Sequence, residues 1–364
     1  MKTIMVCMAG LATLPLLAHA ESPYFSLQDG DGFKRFSVSV GALHVMPQGK
    51  AQPFAVNTAV QDGETAKVGD ISIAAVKGNL DPAMESNLST GFINLIDGLG
   101  GKTLSGNLSG SAEIYGLESW NNAGTGLEAD DVTTLGIMTN YFFTDNVSLE
   151  IKAGIPPKVD LQGKGKIYAP FSAMATPSID LIPQIPGGID LPSIDLKNDI
   201  PITDLEAYGP AASARAWTPA FEFQYHFGKT GVNKFRPYVG LGLMYAYFNE
   251  LEINSSTEQD LIKAGHMIAN IKEGKAGASL DGIESSANPK VDLEASDAFA
   301  PVATVGFTYD FNDTWFAVGS VSYAHLKNDT TITVTDANLG ELIRSKVDIE
   351  VNPILAYAGF GMRF

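Results

Sequence analysis

The segment Phe221-Glu222-Phe223-Gln224-Tyr225-His226-Phe227 puts an aromatic ring at every second position and a polar group between each pair. A period of two is the period of a β-strand, whose side chains point alternately to its two faces. This segment therefore needs one apolar and one polar environment on opposite sides of a single strand. The same pattern recurs along the chain and closes it, in Ala356-Tyr357-Ala358-Gly359-Phe360-Gly361-Met362-Arg363-Phe364. Period-two reading predicts strands at Phe33–Gln48, Thr133–Phe143, Val147–Gln162, Trp217–Gly228, Phe235–Ile253, Ala300–Phe311, Trp315–Val334 and Ile343–Phe364.

No stretch after residue 20 comes near the roughly twenty apolar residues of a membrane helix, although 45% of the chain is hydrophobic. A bilayer-spanning chain without such a helix must close a barrel, because lipid offers no partner to a free backbone N–H or C=O. The fold expected is all-β, an eight-stranded antiparallel transmembrane barrel with long extracellular loops; a secreted β-sandwich is the competing reading. At the start, Lys2, the apolar run Ile4 to Leu17 and Ala18-His19-Ala20 fit a secretory signal over residues 1–20. Residues 21–364 would form the barrel. The only cysteine, Cys7, leaves with the signal. Without Lys2, the only charged residue of the signal, the formal charge of −17 becomes −18, which argues against a nucleic-acid partner and for acidic surface loops.

The connections alternate in length. Thr144-Asp145-Asn146, Lys229–Lys234 and Asn312-Asp313-Thr314 are short, whereas about 49–132, 163–216 and 254–299 are long. A last outer loop near Thr335–Leu342 is short. Short turns face the periplasm and long loops face outward, which places the protein in the outer membrane of a Gram-negative bacterium with both termini inside. The long loops are expected to carry structure of their own.

Alternation also assigns the faces. Glu150, Lys152, Glu222, Arg363 and Arg35 should point inward. An eight-stranded barrel is only about wide enough for its own side chains, so these charges would form a paired polar plug and not a water channel. Tyr141, Phe143, Trp315, Phe316 and Phe364 are expected to anchor the periplasmic rim, and Trp217, Tyr245, Tyr247 and Tyr323 the upper wall.

Phe235-Arg236-Pro237-Tyr238-Val239-Gly240-Leu241-Gly242, preceded by Gln224-Tyr225-His226-Phe227, resembles the paired fourth and fifth strands of the OmpW family. Asn140-Tyr141-Phe142-Phe143-Thr144-Asp145-Asn146-Val147 with Ala153-Gly154-Ile155-Pro156, and the Gly361-Met362-Arg363-Phe364 ending, resemble its second, third and last strands. The resemblance covers the predicted strands and none of the long loops. It implies a barrel associated with small hydrophobic molecules, with relatives that help alkanes cross the outer membrane, an apolar pocket above a polar plug, and lateral escape into the lipid. The inward upper positions Leu43, Val45, Met138, Met244, Phe248, Val302 and Leu355 are the expected pocket. Pro156, Pro157 and Pro219, which lack the N–H a ladder needs, are the expected side opening; the alternative is that they merely end regular strands.

Expected partners are small hydrophobic solutes, outer-membrane lipid and lipopolysaccharide, and the barrel assembly machinery through the strand ending in Phe364. No metal or cofactor spacing stands out, and His44, His226, His266 and His325 form no readable nucleophile and base set, so neither catalysis nor a cofactor is expected. In the loops, Pro177-Ser178-Ile179-Asp180-Leu181 and Pro192-Ser193-Ile194-Asp195-Leu196 repeat, with Gly188-Ile189-Asp190-Leu191 between and Pro201-Ile202-Thr203-Asp204-Leu205 after. Short extended pieces turning at each proline are expected. Ser255 and Glu258 read as a capping box of a helix with the apolar stripe Leu261, Gly265, Ile268, Ile271. Loops this large also allow an adhesion or recognition role without transport.

Overall fold

The computed structural model describes residues 28–29, 32–84, 86–178 and 191–364. The signal segment, the Ile179-Asp180-Leu181 part of the first repeat and Gly188-Ile189-Asp190 lie outside the described residues. Eight strands close a barrel: β1 Phe36–Met46, β2 Val132–Phe142, β3 Val147–Gly154, β4 Ala220–His226, β5 Phe235–Ile253, β6 Ala298–Asp310, β7 Trp315–Ala324 and β8 Ile354–Arg363. Each is antiparallel to its sequence neighbour, and β8 closes on β1 over Ile354↔Met46 to Arg363↔Ser37. A closed ring leaves no edge strand, which is the condition for a sheet in lipid.

The alternation holds in three dimensions. Phe221, Phe223, Tyr225, Leu241, Leu243, Val305 and Phe360 stand exposed on the outer face, while Glu222, Gln224, His226, Met244, Thr304 and Tyr357 are buried within. At the short-turn end Phe36 packs on Tyr141 with ring centroids 5.0 Å apart, and Tyr141 meets Phe143 edge-on at 5.1 Å. Trp315 and Phe364 lie exposed at the same rim, an aromatic girdle of the kind that sits at headgroup level. Phe316 does not join it. Its place in the period turns it inward, where it is buried beneath Arg363, whose guanidinium lies 4.6 Å from the ring centroid.

Three predicted strands are each two. Val147–Gln162 breaks at Ile155-Pro156-Pro157 and resumes as Lys158–Lys164; Trp315–Val334 breaks after Ala324 and resumes as Lys327–Asp336; Ile343–Phe364 is Gly340–Glu350 followed by β8 after Pro353. Continuous alternation hid the breaks. The supposed short loop near Thr335–Leu342 is the tip of a hairpin, Lys327–Asp336 against Gly340–Glu350, that rises above the barrel.

That hairpin belongs to a folded cap made by the long connections. A five-stranded sheet runs Lys290–Ala295, Lys327–Asp336, Gly340–Glu350, Phe54–Thr58, Ser119–Asn122. A four-stranded sheet runs Ile194–Asp204, Lys166–Thr176, Ser111–Tyr115, Glu64–Lys67. The upper half of β5 extends the barrel wall into Pro210–Trp217, Lys158–Lys164 and Gly126–Ala129. The cap buries its own apolar core, including Val60, Ile114, Leu261, Ile268, Val334 and Leu342, and so carries the independent structure expected of loops this long. The helix arises at Ser255–Lys272 and lays Leu261, Gly265, Ile268 and Ile271 on this core. Its cap is Asn254, one residue before the expected box: the Asn254 side chain accepts the Ser256 N–H at 3.0 Å. Strand Ile194–Asp204 runs straight through Pro201, with a register shift opposite Ile167/Tyr168, so this proline makes a bulge and not a turn.

Candidate functional site

Inward positions on β3 and β4 build the floor. Lys152 Nζ lies 2.6 Å from Glu222 Oε1 and 3.6 Å from Glu150 Oε1. It also donates to Thr304 Oγ1 at 2.8 Å and Ser322 Oγ at 2.9 Å. Glu150 accepts from Asn140 Nδ2 at 2.9 Å. Lower down, Arg363 pairs with Asp310 at 2.6 Å, both almost wholly buried. Ser148 Oγ and His226 Nε2 lie 3.0 Å apart, enclosed by Phe142 and Tyr238. The void left among these groups is about 10 Å³, at the lower limit for one water. The floor is thus a plug.

Arg35 is not part of it. It lies exposed at the rim and donates to the carbonyls of Phe142 and Phe143 at 3.1 and 2.9 Å; it precedes β1, where the alternation used to turn it inward does not yet apply. The partner that sequence reading missed is Asp310, although Tyr309-Asp310-Phe311 displays it between two outward rings. Thr304 and Ser322 were missed because small hydroxyls give a weak inward signal; they are cross-strand partners on β6 and β7.

Above the plug the lining turns apolar. A cavity of about 270 Å³ is walled by Leu43, Val45, Met138, Met244, Val302 and Leu355, with Lys152, Ser320, Ser322 and Tyr357 toward its floor. Phe248 is placed one level higher, lining a second cavity of about 110 Å³ that shares Val45, Met244 and Leu355 with the first.

Pro156, Pro157 and Pro219 line the lower cavity as well. The β3–β4 ladder runs from Val147↔Tyr225 to Lys152↔Ala220 and stops. Contact resumes where the Ala216 N–H donates to Pro157 O at 3.0 Å, followed by Lys158↔Arg215. Between these points the two strands turn to their other neighbours: Ile155 N–H donates to Leu135 O at 3.0 Å and Tyr245 N–H to Pro219 O at 2.9 Å. The wall therefore has a slot, bordered by Ala153, Gly154, Ile155 and Pro156 on one side and Trp217, Thr218 and Pro219 on the other. Arg215 spans its upper end, donating to Pro156 O at 3.1 Å and pairing with Glu250 at 2.8 Å.

The OmpW family model matches residues 107–266. That range takes in β2 to β5 and reaches into all three long connections, whereas the resemblance read from the sequence left the loops aside. Outer membrane protein W of Vibrio cholerae is 27% identical over 244 residues, 67% of this chain and 79% of that protein. Among solved structures, OprG from Pseudomonas aeruginosa is 17% identical with a TM-score of 0.43, covering 91% of this chain and 96% of that one. The outer membrane protein AlkL is 14% identical with a TM-score of 0.39, covering 92% and 93%. With the family match over part of the chain, the curated relative and the closed eight-stranded wall together, the chain is an outer-membrane β-barrel protein similar to the OmpW family.

Proposed function

We propose that the protein lets small hydrophobic molecules pass inward across the outer membrane without energy coupling. Solute would rest in the apolar cavity lined by Leu43, Val45, Met138, Met244, Val302 and Leu355 and leave sideways between β3 and β4 into lipid. The observation that carries this reading is the coincidence of the two features: the cavity above the plug and the slot in the wall share the residues Pro156, Pro157 and Pro219. The plug blocks the axial route, so the slot is the exit of least resistance for a solute that prefers lipid to water. Methionines suit loosely shaped apolar ligands, and Met138 and Met244 both line this cavity. In this reading lipid and lipopolysaccharide surround the wall, and the barrel assembly machinery takes the β8 strand that ends at Phe364.

The test is uptake of a panel of radiolabelled alkanes, terpenes and aromatic hydrocarbons by cells with and without the protein. A variant with Pro156, Pro157 and Pro219 replaced by residues able to complete the ladder is run beside it. Faster uptake that the variant loses supports lateral passage. No change for any solute sinks it and moves the reading to recognition by the cap, which the folded core of the outer connections favours.

A further inference from the structure

The cap lies over the barrel mouth, so a solute arriving from that side meets it before it meets the barrel cavity. We propose that the cap contains a second apolar binding site, entered past Trp120, that takes slim neutral apolar solutes and hands them to the barrel; this rests on the uptake reading above. Three observations carry it. Between the Ser255–Lys272 helix and the four-stranded sheet lies a cavity of about 90 Å³, walled by residues such as Ile114, Ile194, Leu196, Leu261 and Ile268 and, among the described residues, by no charged side chain. An apolar cavity of this kind stays dry and takes apolar guests.

Trp120, second, lines both this cavity and an open outer cleft of about 520 Å³ whose other walls include Asn121, Lys166, Tyr168 and Asp199. Strand Lys166–Thr176 divides the two, with Ile167 and Ala169 toward the cavity and Lys166, Tyr168 and Pro170 toward the cleft, and Trp120 is the side chain that borders both. The Trp120 indole N–H is buried and makes no hydrogen bond among the described residues. No hydrogen bond among the described residues ties the indole, so displacing the ring would break packing and no polar contact there.

Third, the interior continues downward. Ile167 and Ile202 line the cap cavity and also belong to the cluster around Phe54, Leu127 and Leu205. Those three wall the 110 Å³ cavity that shares Val45, Pro157, Met244 and Leu355 with the barrel cavity. The route from Trp120 to the slot is lined by apolar side chains in contact. Since the upper cavity is smaller than the cavity of about 150 Å³ that accepts benzene, a short alkyl chain fits it better than a bulky ring.

The chain has three tryptophans, Trp120, Trp217 and Trp315, and Trp120 and Trp217 line different cavities. The full chain in lipid vesicles, carrying W217F/W315F, reports on Trp120 alone, and 1-bromobutane is the heavy-atom quencher. Saturable quenching of Trp120 by at least twofold is expected, and Ala264→Leu or the milder Ala173→Val, which fill the cap cavity, should abolish it while leaving bromobutane quenching in a Trp217-only protein unchanged. Quenching that rises linearly, or is absent, overturns the cap site, as does saturation untouched by both filling variants. Uptake of 1-bromobutane and of the hydrocarbon panel by cells carrying the unaltered protein is measured alongside: intact uptake with an unquenched Trp120 overturns the cap site alone, and absent uptake of every solute overturns both readings.

Discussion

Lys152 is the side chain on which the plug turns, and its replacement by methionine has a calculable outcome. The ammonium sits 2.6 Å from Glu222 Oε1 and 3.6 Å from Glu150 Oε1, with Glu222 fully buried and Glu150 nearly so. At an effective dielectric of about 20 the nearer contact alone is worth on the order of 6 kcal/mol in Coulomb energy. Much of that is offset by the desolvation of the pair, so the net worth of the intact bridge is small. Removal of one partner is different, because two carboxylates then share a closed site without a counter-charge; breaking a buried pair this way costs roughly 3–5 kcal/mol. K152M should therefore lower the unfolding free energy by about that amount, read as a shift in the urea midpoint in phospholipid vesicles with unchanged slope. K152M/E222Q removes one of the stranded charges and should regain about half. A loss under about 1 kcal/mol for K152M, or a double variant no more stable than the single one, would refute the claim that this cluster is a closed ionic plug.

Other perturbations test the cap and the wall. Asn254→Ala removes the acceptor for the Ser256 N–H and the donor to Tyr208 O and Pro210 O, so hydrogen exchange in Ser255–Lys272 should quicken by the equivalent of about 1 kcal/mol. Backbone N–H groups of Asn288, Asn338 and Leu339 hold the Asp336 carboxyl below its usual range. A depressed carboxylate stabilises the fold above its unfolded pKa and loses that contribution as pH falls through the folded value, so protease resistance of the cap should decline below about pH 4 and Asp336→Asn should flatten the decline. Burial, and then the hydrogen bond to Asp329 across the hairpin, raise the Asp348 carboxyl. The sign reverses there: the raised group favours the fold below its unfolded pKa and ceases to as pH rises through the folded value, so Asp348→Asn should make the cap more protease-resistant than the parent at pH 7. At Gly242 a Cβ would stand 1.9 Å from Phe221 O, and Gly242→Ala should cut the yield of folded barrel in a vesicle refolding assay.

The barrel was legible because lipid makes one face of every strand uniform. Val239, Leu241 and Leu243 alternate with Gly240, Gly242 and Met244 so cleanly that β5 was bounded correctly at both ends. The cap was not legible for the opposite reason. Several of its strands are short and lie in packed layers, so a segment such as Ser111–Tyr115 shows only a five-residue pattern, and its partners are remote: Ala55 pairs with Lys346 and Leu80 bridges to Leu196. Pairing of that range has no local signature. The long breaks were hidden too, because alternation continues in phase through Leu326 and across Asn352-Pro353. The candidate site falls between these cases. Alternation gave the inward positions and the family resemblance the pocket they were assigned to, whereas Arg35 was misplaced because it precedes β1, and Asp310 was omitted because charge pairing across a barrel depends on depth, which a period of two does not encode.

The interrupted ladder between β3 and β4 shows why proline is a low-cost residue at the exit proposed above. A gap between two ordinary strands in hydrocarbon would strand a row of N–H donors, each costing several kcal/mol. At Pro156, Pro157 and Pro219 there is no such donor to strand. The freed carbonyls are taken up elsewhere, Pro157 O by Ala216 N–H, Pro219 O by Tyr245 N–H and Pro156 O by the Arg215 guanidinium. The flanking Ile155 N–H turns to Leu135 O on β2. Each strand beside the interruption thus keeps a hydrogen bond to its outer neighbour while giving up its inner one. The ladder below, Val147↔Tyr225 to Lys152↔Ala220, and the Lys158↔Arg215 pairing above remain continuous, so the opening is framed at both ends by paired backbone. A hole built this way adds no unpaired proline donor, and the paired backbone above and below keeps the two strands from separating along their whole length.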